Sequence, residues 1–593
     1  MTDPKVKPAD DTTKEKCEPS VSVCPAGEAF PLPNKGDYER ESKRLQKLVK
    51  EQRLKGREIV VVMGVGFVGA VMAGVIADSV HRQTGKPTKF VIAMQRPSPR
   101  SYWKIPYLNR GLSPVQAEDP EVPTMIHRCV KDKGTLTGSF TYDALSLADI
   151  VVVDVQCDYY KETLGNCRLG RADIASLEES LKIIGEKIKP DCLVLIETTV
   201  PPGTTEYIAY PILKKAFERR GLTNSSRNPH SALDLDKDSE LRTRNSELQD
   251  PIEPLLAHSF ERVMPGRNYV ASIRDFWRVC SGMDEKARER VKTFLSDVIN
   301  VNEYPLTVLD RPIESETCKI VENSYRATIL AFLHEWSLFA ERNGVDLIKV
   351  IEAIKVRHTH SNIIFPGPGI GGYCLPKDGG LGVWAYHTLM GFEDEIFKLT
   401  PVAIDINDTR ALHAVEMVRD ALRNMGKIVA ASKIAVLGAS YREDVGDTRY
   451  SGSEILVRKL TEMGGDVVVH DPYVKHWWEF EKQDTYPAPG HSLARFFRNQ
   501  EKLTDLRIQN DLKETLQGTD AVVFAVRHQP YLSLTADAIV KMTGRPVVVI
   551  DCFGILGDSK IRRYFELGCE VKGLGRGHMK RIKDEVRLNK KSQ

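Results

Sequence analysis

The sequence has no cysteine pair at C-x-x-C spacing, no apolar run of membrane-spanning length and no basic stripe interleaved with aromatics. The first absence removes zinc ribbons and dithiol redox motifs, and no metal site is expected. The eleven cysteines, at 17, 24, 129, 157, 167, 192, 280, 318, 374, 552 and 569, are scattered and odd in number. That usage fits free thiols in a reducing compartment. A membrane span needs roughly 20 apolar residues, whereas the longest runs here are strand-sized. The formal net charge is only +3, so no nucleic-acid partner is expected. The opening stretch MTDPKVKPADDTTKEKCEP is polar and lacks the apolar core of a secretory signal. The expectation is a cytoplasmic chain without a membrane partner.

What is present is length and alternation. A chain of 593 residues, 41% hydrophobic and 28% charged, can bury several cores. Residues 1 to about 35 are rich in Lys, Asp, Pro and Thr and read as a disordered tail. A charged helix follows from Tyr38 to Lys55, with a narrow apolar stripe of Leu45, Leu48, Val49 and Leu54. REIVVVMGVGFVGAVMAGVIADSV then runs strand, glycines, helix, and Ile59 to Met63 reads as a strand buried on both faces. Further apolar runs at Phe90 to Met94, Ile150 to Val155 and Leu193 to Ile196 alternate with helical stretches. A long helical region starts at Arg311. SKIAVLGASY, VVVHDPY, DAVVFAVRH and PVVVIDCFGIL then open a second α/β unit.

The fold class expected is therefore α/β, two Rossmann-like doubly wound domains joined by a helical central domain. The boundaries fall at 1–57 for tail and charged helix, 58–310 for the first Rossmann-like domain, 311–430 for the helical centre and 431–593 for the second. Polar insertions are expected at about 224–254 and 477–506.

Four stretches could carry chemistry. Gly64, Val65, Gly66, Phe67, Val68 and Gly69 form G-x-G-x-x-G between a strand and a helix, the dinucleotide fingerprint. The acid expected at the end of the second strand is absent; Gln95 stands there with Arg96 beside it. Arginine accommodates a 2′-phosphate, so NADP stays open alongside NAD. In the second α/β unit, Gly438, Ala439 and Ser440 lack the second fingerprint glycine, so a ligand other than a dinucleotide is expected. Arg442 and Arg449 follow, able to fork onto phosphate or to stand solvated. On the central helix, Lys319, Asn323 and Arg326 share one face, turned either to water or into a cleft. Lastly, GPGIGGYCLPKD presents Cys374, with Lys377 and Asp378 after it. Read alone it is a turn holding an inert thiol, or a reactive thiol whose pKa is lowered by a helix starting near Pro376.

Together these pieces resemble the UDP-glucose/GDP-mannose dehydrogenase family, the nucleotide-sugar 6-dehydrogenases. The resemblance rests on GVGFVG (64–69), TTVPPGTT (198–205), ERVMPG (261–266), KIVENSYRA (319–327), GPGIGGYCLPKD (367–378) and GASYREDVGDTR (438–449), in family order. It implies an NAD domain, a helical middle that builds a homodimer or higher oligomer, and a C-terminal domain holding the nucleotide of a UDP- or GDP-linked sugar. It further implies oxidation of the C6 alcohol to a uronate in two hydride transfers through a Cys374 thioester. By this similarity Lys319 and Asn323 stabilise the oxyanion, Asp378 assists water or proton transfer, and Glu261 and Thr199 serve base and water chemistry. The cofactor set is the fingerprint with Gln95, Arg96, Thr199 and Lys377. The substrate set is Arg262, Arg326, Gly369, Gly371, Gly372, Tyr373, Tyr441, Arg442 and Arg449.

The chain departs from the family pattern in places. VQCDYYK replaces a Val-Pro-Thr-Pro-like turn after Val155, and Pro265 replaces a second glutamate. ERVMPG is similar to branches that oxidise acetamido sugars, although Phe260 stands where they carry proline. DCFGIL lacks an arginine often found after Asp551. Two alternatives stay open, a two-electron hydroxyacid-type dehydrogenase and an inactive cofactor-binding regulatory protein.

Overall fold

The computed structural model describes residues 21–222, 252–264, 266–481 and 491–591. Most of the first expected insertion and residues 482–490 of the second lie outside these, as do residues 1–20.

Eighteen strands are named here in chain order. A first hairpin is β1 (Val21–Val23) and β2 (Ala29–Pro31). The first sheet uses β3 (Glu58–Met63), β4 (Lys89–Met94), β5 (Leu136–Ser139), β6 (Ile150–Val153), β9 (Leu193–Ile196), β10 (Leu255–His258), β11 (Val279–Gly282) and β12 (Thr307–Leu309). A second hairpin, β7 (Asp158–Tyr160) with β8 (Arg171–Asp173), leaves it after β6. The second sheet comprises β13 (Lys433–Leu437), β14 (Asp466–His470), β15 (Ile508–Gln509), β16 (Ala521–Phe524), β17 (Val548–Asp551) and β18 (Glu570–Gly573).

The first sheet has the order β12-β11-β10-β9-β6-β3-β4-β5, the second β15-β14-β13-β16-β17-β18. Both are doubly wound, and only β10 with β11 runs antiparallel within them. The β-branched run of β3 explains its central place. Val60 and Val62 point into one buried layer, and Ile59, Val61 and Met63 into the other. Each such side chain contributes on the order of 1.5–3 kcal/mol by leaving water. Order reverses between β3 and β6 in one sheet and between β13 and β16 in the other, where ligands of this architecture bind.

The central region is built on two long helices, Pro312–Asn343 and Leu399–Asn424. The first opens with proline in its first turn and closes on Gly344 at φ 71°. Asn407 donates to the Ala327 carbonyl at 2.8 Å and Arg410 to that of Leu330 at 3.3 Å. The two contacts advance together, so the helices run in the same direction.

Two N-terminal expectations are corrected. Residues 21–34 are ordered, because Phe30 buries itself with Cys24 and Trp103, and Trp103 N–H donates to Ser22 Oγ at 3.2 Å. The polar composition of the tail averaged this short apolar pair away. The charged helix begins earlier, at Lys35, and buries Leu45 and Val49, but Leu54 at its end is 83% exposed. In the second expected insertion, Trp477, Phe480 and Leu503 join the C-terminal core. No helix among the described residues is long and apolar enough to cross a membrane.

Candidate active site

The C-terminal edges of the two sheets border one cleft of about 580 Å³. Gly64, Gly66 and Phe67 line one wall, and Asp447, Arg449 and Tyr473 the other. Gly64 sits at φ 113°, and a Cβ there would lie 2.4 Å from the Asp154 carbonyl oxygen. A Cβ on Gly69 would meet the Gly64 carbonyl at 2.0 Å, whereas Gly66 faces open space. These are the tight turn, the close packing and the open approach that a pyrophosphate requires, so the residues fit a dinucleotide. Gly66 caps the helix Phe67–Asp78, whose first N–H groups point toward the cleft. Val65 and Gly69 are buried and Val68 half-buried, so they serve through the backbone. Gln95 and Arg96 line the same cleft. Lys377 is not among the residues that line it; it is buried beside Asp378, to which it donates at 2.8 Å.

Cys374 lies between the central helices and the C-terminal domain. Lys319 and Asn323 stand one turn apart on the helix Pro312–Asn343, as their i, i+4 spacing requires. Asn323 Nδ2 donates to Asp378 Oδ2 at 2.6 Å, and Lys377 Nζ donates to Asp378 Oδ1 at 2.8 Å. Asp378 N–H donates back to the Cys374 carbonyl at 3.0 Å. Lys319 Nζ donates to the Glu261 carbonyl at 3.0 Å and lies 5.4 Å from the centre of the Phe260 ring. Arg262 covers the same ring at 5.3 Å and contacts Glu322 at 3.3 Å. Phe260 is thus a buried platform under two cations.

The electrostatics of the thiol run against expectation. Burial, followed by the Asp378 carboxylate, pushes Cys374 up to about 11, while Lys319 pulls it down. The expected lowering by a helix start does not prevail, because that helix, Asp378–Trp384, is short and brings a carboxylate at its first residue. For Lys319, burial alone would lower the pKa, but Glu261, Cys374 and Asp378 outweigh it and hold the ammonium above its ordinary value.

The glycines of the loop serve close contact between domains. A Cβ on Gly371 would lie 2.5 Å from Tyr441 Cβ, one on Gly369 3.1 Å from Gly452 Cα, and one on Gly367 2.7 Å from the Phe553 ring. Gly372 N–H donates to the Arg449 carbonyl at 2.9 Å. Tyr373 donates to the Cys157 carbonyl at 2.8 Å. Burial, followed by Asp447, raises the Tyr441 phenol to about 12.

Other expected residues are dispersed. Arg449 stacks over Phe67 at 4.7 Å and pairs with Asp447 at 2.6 Å, which puts it in the dinucleotide cleft. Arg442 is half-buried with Gly266 facing its guanidinium, and its Nε has no partner among the described residues. Arg326 is exposed, with no hydrogen bond to the cluster. Thr199 is buried beyond β9, and no hydrogen bond among the described residues joins it to Cys374.

Several residues were not anticipated. Glu316, one turn before Lys319, accepts from Gly203 N–H at 2.6 Å and from Thr205 N–H at 2.8 Å and Oγ1 at 2.6 Å, tying the TTVPPGTT loop to the central helix. Glu197 and Arg278 form a fully buried ion pair beneath the cleft. Beside them burial, followed by Glu197 and Glu261, pushes the Asp154 carboxyl well above its usual range. An acid inside the apolar runs IVVVDV and LVLIETT was the available signal. VQCDYYK supplies Lys161, whose Nζ donates to the Pro376 carbonyl at 2.8 Å and pairs with Asp408 at 2.6 Å, bracing the cysteine loop from behind. In the C-terminal domain, Ala439 and Ser440 N–H donate to Asp471 Oδ2 at 2.7 and 3.2 Å. The protein's own carboxylate thus fills the anion position of the second glycine turn, which fits a ligand other than a dinucleotide there.

Comparison with known proteins decides the family. Three models of the UDP-glucose/GDP-mannose dehydrogenase family match in order: the NAD binding domain at 58–233, the central domain at 313–409 and the UDP binding domain at 435–558. The chain belongs to the UDP-glucose/GDP-mannose dehydrogenase family. As a member it is a nicotinamide-dependent oxidoreductase acting on a nucleotide sugar. Among its relatives, UDP-N-acetyl-D-mannosamine dehydrogenase of Pyrococcus horikoshii is 24% identical over 520 residues, 87% of this chain and 99% of that protein. NDP-N-acetyl-D-galactosaminuronic acid dehydrogenase of Ralstonia solanacearum is 26% identical over 395 residues, 66% of this chain and 76% of that protein. The crystal structure of NDP-N-acetyl-D-galactosaminuronic acid dehydrogenase from Methanosarcina mazei Go1 superposes with a TM-score of 0.66 at 26% identity, covering 90% of this chain and 98% of that one. The two Rossmann-like domains with a helical centre are as expected.

Proposed function

We propose that the protein oxidises the C6 alcohol of a UDP-linked acetamido sugar to its uronate, in two hydride transfers and through a covalent bond to Cys374. The observation that carries this reading is the gathering of a thiol, a charged buried lysine and an asparagine-held carboxylate at Cys374, Lys319, Asn323 and Asp378. The bound nicotinamide supplies the hydride acceptor, two cofactors per sugar. The fingerprint glycines and the first turn of Phe67–Asp78 would hold its phosphates.

The geometry supports a part for the protein's own residues. Lys319 stays cationic and can face the alkoxide left when the C6 hydroxyl gives up its proton to water, before C6 gives up its hydride. The thiolate of Cys374 adds to the aldehyde carbon, giving a tetrahedral oxyanion that Lys319 and Asn323 stabilise. Loss of the second hydride leaves a thioester. Water adds to it with Asp378 accepting a proton, and the thiolate departs to give the carboxylate. Lys377 and Asn323 hold Asp378 from both sides, so its oxygens are fixed for that role. The acetamido sugar is supported by ERVMPG and by the names of the relatives. A homodimer is supported by an apolar stripe on Pro312–Asn343 of Val321, Tyr325, Phe332, Trp336 and Phe339, each 45–60% exposed.

Stoichiometry is the test. Purified protein given UDP-N-acetylhexosamines should yield two reduced nicotinamides per uronate, and Cys374→Ala should end turnover. One reduced nicotinamide per sugar, indifferent to Cys374→Ala, would instead establish the two-electron reading.

A further inference from the structure

We propose that the adenosine end of the cleft is built to receive a 2′-phosphate, so that the cofactor is the 2′-phosphorylated dinucleotide NADP. The inference rests on the nicotinamide-dinucleotide reading of the cleft and deepens it. A free ribose diol donates hydrogen bonds and is held by an acceptor, ordinarily a carboxylate at the end of the second strand. β4 ends at Met94, and the next residue is an amide. Its acceptor is already engaged, since Gln95 Oε1 takes the Val65 N–H at 2.9 Å. What Gln95 has left is a donor, with Nε2 lying 3.5 Å from the Arg96 carbonyl and from Ser101 Oγ.

The neighbouring groups are donors as well. Arg96 lines the cleft, and its side chain is 63% exposed; its partner, Glu179, lies 3.4 Å away and is 60% exposed. An ion pair so long and so wetted is weak and easily exchanged for a better anion. A phosphate dianion offers the guanidinium a bidentate, doubly charged partner in place of one screened carboxylate. Ser98 and Ser101 hydroxyls are hydrogen-bonded to each other at 2.7 Å on the same wall, which leaves one of the two protons to donate outward, and Lys104 lines the wall beyond them. This corner therefore presents an amide donor, a hydroxyl pair and the exposed guanidinium of Arg96, whose carboxylate partner is the equally exposed Glu179. That inventory suits a phosphomonoester and is poor for a diol.

The experiment reads binding and does not depend on turnover. Calorimetry on the full-length protein would compare 2′,5′-ADP, the adenosine half of NADP, with 5′-AMP, the corresponding half of NAD. The expected result is at least about tenfold tighter binding of 2′,5′-ADP, falling at raised ionic strength. Arg96→Ala should erase the preference, and Glu179→Gln, which frees Arg96, should enlarge it. Thermal melts confirm that both variants fold. Equal affinity for the two nucleotides overturns the proposal, and so does loss of 5′-AMP binding in Glu179→Gln, which would make Glu179 the diol acceptor. Tighter 2′,5′-ADP binding in a protein that oxidises no sugar nucleotide upholds the 2′-phosphate site while sinking the dehydrogenase reading. Turnover with NAD and no preference for 2′,5′-ADP does the reverse.

Discussion

At the scale of single residues, the site turns on a thiol that is not an ion at rest. Cys374 sits near 11, raised first by burial and then by Asp378. The nucleophile is the thiolate, so its fraction at neutral pH is small and grows about tenfold per pH unit below that value. Alkylation by iodoacetamide, followed at Cys374 by peptide mass spectrometry, should climb from pH 7 to 10 without a plateau. Lys319→Met removes the cation that lowers the thiol and should slow alkylation at every pH. Asp378→Asn removes the anion that raises it and should speed alkylation, even though thioester hydrolysis fails. A plateau near pH 7 would mean a preformed thiolate and would contradict this electrostatic picture. Nothing in GPGIGGYCLPKD announced this ordering of effects. The residue types were legible, but burial and the direction of Asp378 depend on how distant elements pack.

At the scale of elements, the central helix acts as the rod on which the first domain is hung. Glu316 receives three donors from the loop after β9, over a sequence distance of more than 100 residues. In Glu316→Gln the amide can accept on one side only, and its NH₂ would confront an N–H on the other. An unsatisfied buried donor costs about 1–3 kcal/mol. A lower denaturation midpoint is expected, with loss of turnover if the loop shifts; unchanged stability would show that the contact carries no weight. Gly371→Ala should be worse for the site. Its φ of 53° and the 2.5 Å approach to Tyr441 Cβ leave no room for a methyl, so loop and C-terminal domain must part. The expected cost is about 1–3 kcal/mol with near-complete loss of uronate formation, measured by urea unfolding and product assay. What the sequence revealed at this scale was whatever is local. The fingerprint glycines, the strand β3 and the i, i+4 pair Lys319 and Asn323 need only their own neighbours to be read. Lys161, Glu316 and Asp471 were invisible because each acts on a segment far off in the chain. The glycines of 367–372 read locally as a turn, whereas the bodies they admit, Tyr441, Gly452 and Phe553, come from the distant C-terminal domain.

For the molecule as a whole, the described residues leave one helix face that water should not keep. Val321, Tyr325, Phe332, Trp336 and Phe339 recur at spacings of four, seven, four and three, which places them along one side of Pro312–Asn343. Phe332 meets Trp336 edge to face at 6.2 Å, and Trp336 meets Phe339 at 5.4 Å, so the ridge is already ordered. A contiguous apolar ridge of this kind on a soluble surface marks an interface. Arg326 lies exposed about a quarter-turn or more round the helix from this ridge, on the side that carries Lys319 and Asn323. A second copy seated there would therefore lie close to the substrate chemistry. Light scattering after gel filtration should give twice the chain mass of 66.6 kDa for the wild type. Trp336→Glu places a charge at the centre of the ridge, and desolvating an unpaired carboxylate costs several kcal/mol per copy. By symmetry a twofold interface carries the substitution twice, so the variant should run as a monomer at micromolar concentration. If it remains dimeric with full activity, the ridge is not the interface and the dimer is built elsewhere. If it becomes monomeric and also loses uronate formation while Cys374 still alkylates at the wild-type rate, the partner's proximity is part of the working site.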